Sequence, residues 1–234
     1  MNTQGNRGTG APPVTVTLAF GPLRYRVPAP VPPDLAAFTL ALDDGSTPHG
    51  APPLVDPGEL ADRVVLDAPT VGAVVLHAAA VRVEGGVALL VAPPGTGKTT
   101  AAVHAGDRAF AYNGVLCVPG DSTRAWALPF AGGAPPQPRV SSAMELPVRV
   151  VLILVRGDTP WFEWAPGAAA TTSVLRACVC PRSGDPHRRV RAVIALEIAS
   201  RVRAGRLTVP PSPSPSRSPS PVWLDVLDRA LKGM

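Results

Sequence analysis

"VVLHAAAVRVEGGVALLVAPPGTGKTTAAVHA" (74–105) is the stretch that decides the fold. Two apolar segments, His77–Val83 and Val87–Val91, flank the turn Glu84-Gly85-Gly86 and predict a pair of strands. The run Pro93-Pro94-Gly95-Thr96-Gly97-Lys98-Thr99 follows the second strand directly, and the segment after it predicts a helix opening near Gly97. Strand, glycine loop and helix in this order suit a phosphate-binding loop, in which backbone N–H groups must face the phosphates where side chains would intrude. Gly95 and Gly97 give the backbone that freedom.

The motif assigns Pro94, Gly95, Thr96, Gly97, Lys98, Thr99 and Thr100 to nucleotide binding, with ATP and Mg²⁺ as the expected cofactors. Lys98 would neutralise β/γ-phosphate charge, and Thr99 would be the metal ligand through its hydroxyl. The first position of the usual G-x-x-x-x-G-K-[ST] pattern is Ala92, a small departure. Of the 22 basic residues 20 are arginines, so a chain that otherwise uses Arg keeps a compact ammonium in the loop. "PPGTGKT" also occurs in AAA-type ATPases, which need an acidic Walker-B pair. Here the candidate strand "RVVLILVRGD" (149–158) reaches Asp158 only after Arg156-Gly157.

Outward from the loop, further strands are predicted at Val115–Val118, Arg124–Ala127 and Val148–Val155, and a helix near 188–203. Residues 14–41 alternate apolar and polar side chains, which predicts short strands. "DPGELADRVV" predicts a short helix with Asp56 as N-cap and Pro57 at its first position. The mixed order of elements predicts an α/β fold with a P-loop in a mixed β-sheet. Residues 1–13 read as a flexible N-terminus, 14–209 as the nucleotide-binding domain, 210–221 as a Pro/Ser linker, and 222–234 as a C-terminal helix.

Composition sets limits. With 46% hydrophobic residues the chain can build a core, and its apolar runs fall short of the roughly 20 residues that span a bilayer. No secretory leader is recognisable, so a cytoplasmic protein without a membrane partner is expected. Cys117, Cys178 and Cys180 read as reduced thiols, since "CVC" with His187 fits no common zinc spacing. The net charge of +5 draws attention to "HRRVRAVIALEIASRVRAGR" (187–206). Its apolar Val190, Val193, Ile194, Ile198 and Val202 fall near a helical period, giving a helix with a solvated basic face rather than a nucleic-acid surface. Trp161, Phe162 and Trp164 read as core or loop anchors.

"LHAAAVRVEGGVALLVAPPGTGKTT" (76–100) resembles the HPr serine kinase/phosphorylase family, whose members carry a similar His-Ala-Ala-Ala-Val strand, glycine turn and P-loop strand. His77 precedes Ala92 by fifteen residues, the family's interval between its active-site histidine and the loop. "AGDRAFAYNGVLCV" (105–118), "ALPFAGG" (127–133), "SSAMELPVRVVLILVRG" (141–157) and "PVWLDVL" (221–227) extend the likeness over roughly residues 70–225. Several small relatives accompany peptide-modifying pathways.

The resemblance implies the mixed-sheet fold shared with PEP carboxykinase. It also implies ATP- and Mg²⁺-dependent phosphorylation of a peptide, protein or small-molecule acceptor, catalytic roles at His77 and Asn113, and a homo-oligomer. The family places an Asp-Asp pair where this chain has Tyr112-Asn113. Asn113 can offer a carbonyl oxygen to the metal or its waters, whereas Tyr112, with an ordinary pKa of about 10, is a poor base at neutral pH. Asp107 and Asp121 are the nearby carboxylates that could substitute, and both also suit turns. Two readings therefore stand: a kinase, or a nucleotide-binding regulator or scaffold without turnover.

Overall fold

The computed structural model describes residues 15–31, 35–36, 39–43, 53–129, 144–181, 184–210 and 222–232. Residues 1–13, expected to form a flexible N-terminus, His49, the Phe-Ala-Gly-Gly segment after Pro129 and most of the expected Pro/Ser linker lie outside them.

The predicted N-terminal strands are β1 (Thr15–Phe20), β2 (Leu23–Pro28) and β3 (Thr39–Asp43), joined in a small sheet of order β2-β1-β3. Then come α1 (Leu60–Asp67), β4 (Val74–Leu76), β5 (Ala79–Val83), β6 (Gly86–Val91) and α2 (Lys98–His104). These are followed by β7 (Ala109–Ala111), β8 (Val115–Val118), β9 (Arg124–Ala127) and β10 (Leu146–Arg156). The chain continues through β11 (Trp161–Trp164), α3 (Gly167–Ala177), α4 (Arg188–Arg201), β12 (Arg203–Val209) and α5 (Val222–Leu231).

Among the described residues β4 to β12 form one nine-stranded mixed sheet. At its centre β10 runs parallel to β6 on one side and to β12 on the other, while β5 and β7 continue antiparallel beyond β6. Expectation and structure agree on a mixed α/β sheet.

The central strands are apolar on both faces because both are covered. In β6, Val87, Leu89 and Val91 face the core that includes α3 and α4, while Ala88 and Leu90 face α2 and α5. The register between β10 and β6 shifts between Val148 and Val150, which leaves Arg149 as an extra, exposed residue and puts Val148 and Val150 on opposite faces of the sheet. The N-terminal sheet and α1 close a third core against Val75, Leu116 and Leu128.

Several local expectations need correction. The strand expected through His77–Val83 begins only at Ala79 as β5, and it is preceded by the separate β4, which pairs with β8 whereas β5 pairs with β6 and β7. His77 lies at the crossing between them. Asp56 does not cap α1: its carboxylate accepts from the Gly58 N–H at 2.7 Å in a preceding turn, and the helix opens after Glu59. The C-terminal helix ends at Leu231 among the described residues.

The face of α4 is also rotated from the one expected. Arg191, Ile194, Ala195, Ile198 and Ala199 are buried, whereas Val190 and Val193 are exposed. Arg191 turns inward because Asp185 and the Val65 carbonyl receive it. Trp161 is exposed rather than anchored, at the outer strand β11. Phe162 packs on the α2 and α5 side of the sheet, and Trp164 stacks under Arg203, whose guanidinium lies 3.7 Å from the ring centroid.

Candidate functional site

The loop leaves β6 at Val91, and α2 begins at Lys98. Gly95 has φ of 77° and Gly97, the helix N-cap, has φ of 103°, a region that side-chain-bearing residues rarely adopt. The two glycines of the motif thus serve the backbone geometry for which the sequence selected them. Thr96 closes the turn by donating from its hydroxyl to the Pro93 carbonyl at 2.9 Å. Pro94, Gly95 and Thr100 are exposed, and Thr96, Gly97 and Thr99 are half-buried.

Lys98 is buried, at 5% exposure, although it opens a helix. Its ammonium donates to the Ala92 carbonyl at 2.9 Å and the Pro93 carbonyl at 3.4 Å. No carboxylate pairs with it among the described residues, and burial lowers its pKa from the ordinary lysine value. A buried cation held only by carbonyls has no counter-charge from the protein and is stabilised by an arriving anion.

Three further segments meet this loop. The Thr99 hydroxyl donates to the Tyr112 carbonyl at 3.2 Å, so the turn after β7 sits against the start of α2 and Asn113 follows directly, half-buried. With its one hydrogen committed there, the Thr99 oxygen retains lone pairs for a cation. His77, half-buried, is fixed by its backbone N–H donating to the Ala177 carbonyl at 2.6 Å. Its pKa is lowered first by burial and then by the charge of Lys98, which places His77 within electrostatic range of the loop lysine. Burial also raises the Tyr112 phenol, making it a still weaker acid.

The third segment is the end of β10, which sequence reading treated only as a failed acidic strand. Arg156 donates from Nη2 to the Gly95 carbonyl at 2.7 Å and from Nε to the Thr96 carbonyl at 3.1 Å. Together with Thr100, His104, Val209 and Pro210 it lines a cleft of about 270 Å³ beside the loop. A larger cleft of about 490 Å³ lies between the β5–β6 hairpin and α5, and it contains none of the expected site residues. There the bidentate Arg108–Asp228 pair, 2.8 Å in each arm, fastens α5 to the body.

Asp107 and Asp121 are exposed, the first in a short 3-10 turn after α2 and the second in a bend after β8. Among the described residues no group of three or more His, Cys, Asp or Glu side chains is placed to hold a metal. Cys117 and Cys178 are free thiols raised by burial, Cys178 to about 12, and Cys180 is free and exposed. No described helix is long and apolar enough to cross a membrane.

No model of a protein family matches the sequence, and no curated protein matches it. Among solved structures the chain is similar to the HPr(Ser) kinase/phosphatase from Coxiella burnetii, with a TM-score of 0.39 and 11% identity, covering 68% of this chain and 90% of that one. A likeness at that level is too distant to transfer function, and the site stands on its own geometry.

Proposed function

We propose that the chain binds ATP with Mg²⁺ at the 92–99 loop and transfers the γ-phosphate to a hydroxyl of a peptide, protein or small-molecule acceptor. The supporting observation is Lys98, a buried ammonium held only by two carbonyls of its own loop, next to a glycine whose backbone leaves room for an anion. The donor set suits the metal as well as the nucleotide. Mg²⁺ keeps several waters and takes phosphate oxygens, so it asks little of the protein, and Thr99 with the Asn113 side-chain carbonyl would provide that. When bound, the ion supplies charge neutralisation at the transferring phosphoryl group.

His77 would act on the acceptor. Its lowered pKa keeps the imidazole neutral at pH 7, able to take the acceptor hydroxyl proton as the oxygen attacks γ-phosphorus and ADP departs. Positioning and charge neutralisation dominate phosphoryl transfer, while general-base help contributes about 10²–10⁴-fold. Without a carboxylate pair the expected kinase is slow.

A second reading, a nucleotide-binding regulator or scaffold, is favoured by the one feature the first must work around. The segment facing Thr99 presents a backbone carbonyl and an amide side chain, not carboxylates. Following labelled γ-phosphate with candidate acceptors separates the two readings. Transfer that disappears in Lys98→Ala supports the kinase; tight Mg·ATP binding with no transfer across acceptors supports the scaffold. Absence of any Mg·ATP-induced stabilisation refutes both.

A further inference from the structure

We infer that Arg156 is a positioning residue for the loop, holding the Gly95 and Thr96 carbonyls so that the turn is fixed and the Gly97 N–H behind the second carbonyl is set for a phosphate before one arrives. The inference rests on the nucleotide reading of the loop and adds to it a residue outside the P-loop motif.

Strand register brings Arg156 there. In the parallel pair, Ile153 of β10 lies opposite Val91, the last residue of β6. From that point β6 gives way to the loop while β10 continues to Arg156, so the arginine extends alongside the loop from the neighbouring strand. The guanidinium is a rigid planar fork, and two of its nitrogens meet two successive carbonyls at 2.7 and 3.1 Å.

Peptide planarity carries the consequence across the backbone. In a trans peptide the C=O and the next N–H point in opposite directions. Holding the Gly95 carbonyl therefore fixes the peptide whose Thr96 N–H donates to the Pro93 carbonyl at 3.3 Å and closes the turn. Holding the Thr96 carbonyl turns the Gly97 N–H away from the guanidinium. Both glycines of the loop lack the Cβ that would narrow their conformations, and glycine loses more backbone freedom on ordering than any other residue. A loop built from such residues gains order from a brace outside itself. The guanidinium is engaged with carbonyls, which distinguishes this role from that of a counterion for phosphate.

Two measurements on the full chain test this: hydrogen exchange of the nucleotide-free protein, and Mg·ATP titration, each for the native protein, Arg156→Met and Arg156→Lys. In R156M, exchange across residues 92–99 should accelerate about tenfold with β6 and the body of β10 unchanged, and the Kd for Mg·ATP should rise about tenfold, the effect of roughly one net charge-assisted hydrogen bond. R156K keeps the charge without the fork and should recover less than half of either loss. Unchanged loop exchange in R156M, tighter Mg·ATP binding in R156M, or full recovery of affinity in R156K with the loop still fast each overturns the inference. A native chain that binds no Mg·ATP overturns the nucleotide reading, and the exchange measurement then reports on the brace alone. A native chain that binds Mg·ATP while R156M leaves loop exchange unchanged overturns the brace alone.

Discussion

Lys98 and Arg191 are both cations buried at the start of a helix, at 5% and 2% exposure, and their surroundings differ in one respect. Arg191 donates to both carboxylate oxygens of Asp185, at 3.0 and 3.2 Å, and to the Val65 carbonyl at 3.1 Å. Its charge is neutralised within the fold, and its role is to fasten α4 to α1. Lys98 has carbonyls alone. No carboxylate among the described residues offsets its charge, at a cost in desolvation that a paired lysine would avoid. The two buried cations thus differ in whether the protein supplies the counter-charge, and on the proposed reading an anionic ligand supplies it at Lys98.

The largest effect that would sharpen this contrast is expected at the paired site. Asp185→Asn leaves Arg191 buried without its counter-charge and should destabilise the fold by about 3 kcal/mol, the low end for a broken buried pair because Asp185 sits nearer the rim. Chemical denaturation would measure it, and Mg·ATP affinity should be unchanged. A loss of affinity equal to that in a loop variant would erase the distinction.

Lys98→Met should behave in the opposite way. Removing an unpaired buried charge leaves the nucleotide-free protein as stable as the native chain or more so. It should abolish the gain of about 2.7 kcal/mol that Mg·ATP gives at a hundred times its Kd. Paired thermal melts with and without Mg·ATP decide the matter, and an undiminished shift in the variant would break the functional half of the comparison.

Acidification should act first on the loop side and then on the structural pair. His77 has a folded pKa below its unfolded value of about 6.5. Between the two values the unfolded chain binds more protons, so stability rises with pH through that window and is complete above about pH 6.5. His77→Gln should flatten that window.

Asp185 is held below its usual value mainly by its hydrogen bond to Arg191, against the upward push of burial. Its contribution is present above the unfolded value of about 3.9 and is lost as pH falls through the lower folded value. Denaturation midpoints from pH 3 to 8, compared among the native chain, His77→Gln and Asp185→Asn, should resolve both steps.

Much of the loop could be read along the chain. The positive φ at Gly95 and Gly97 and the opening of α2 at Lys98 are demands that neighbouring residues place on the backbone, and glycine is visible in a sequence. The strands β6, β8, β9 and β10 were likewise announced by their apolar runs. The elements missed were β4, α3, β7, β11 and β12. In α3 the opening "GAAATTS" is weakly patterned, and β12 carries Arg203 and Arg206 on a strand whose inward residues include Ala204 and Gly205. Val190 and Val193 misled because a helical period shows that a face exists, and a buried ion pair then rotated that face towards Arg191.

The chain order and the glycine positions were enough to predict the strand, the glycine turn and the helix at residues 87–104, because those requirements are met within a short run of consecutive residues. The surroundings of the loop depend on pairings that no local pattern encodes. Thr99 meets a carbonyl 13 residues away, Arg156 meets the loop across 61, and Arg191 meets Val65 across 126. Those separations close only when β10 aligns with β6 and the helices settle on the sheet. Tertiary packing therefore decided which buried cation was neutralised and which was left open to an anion.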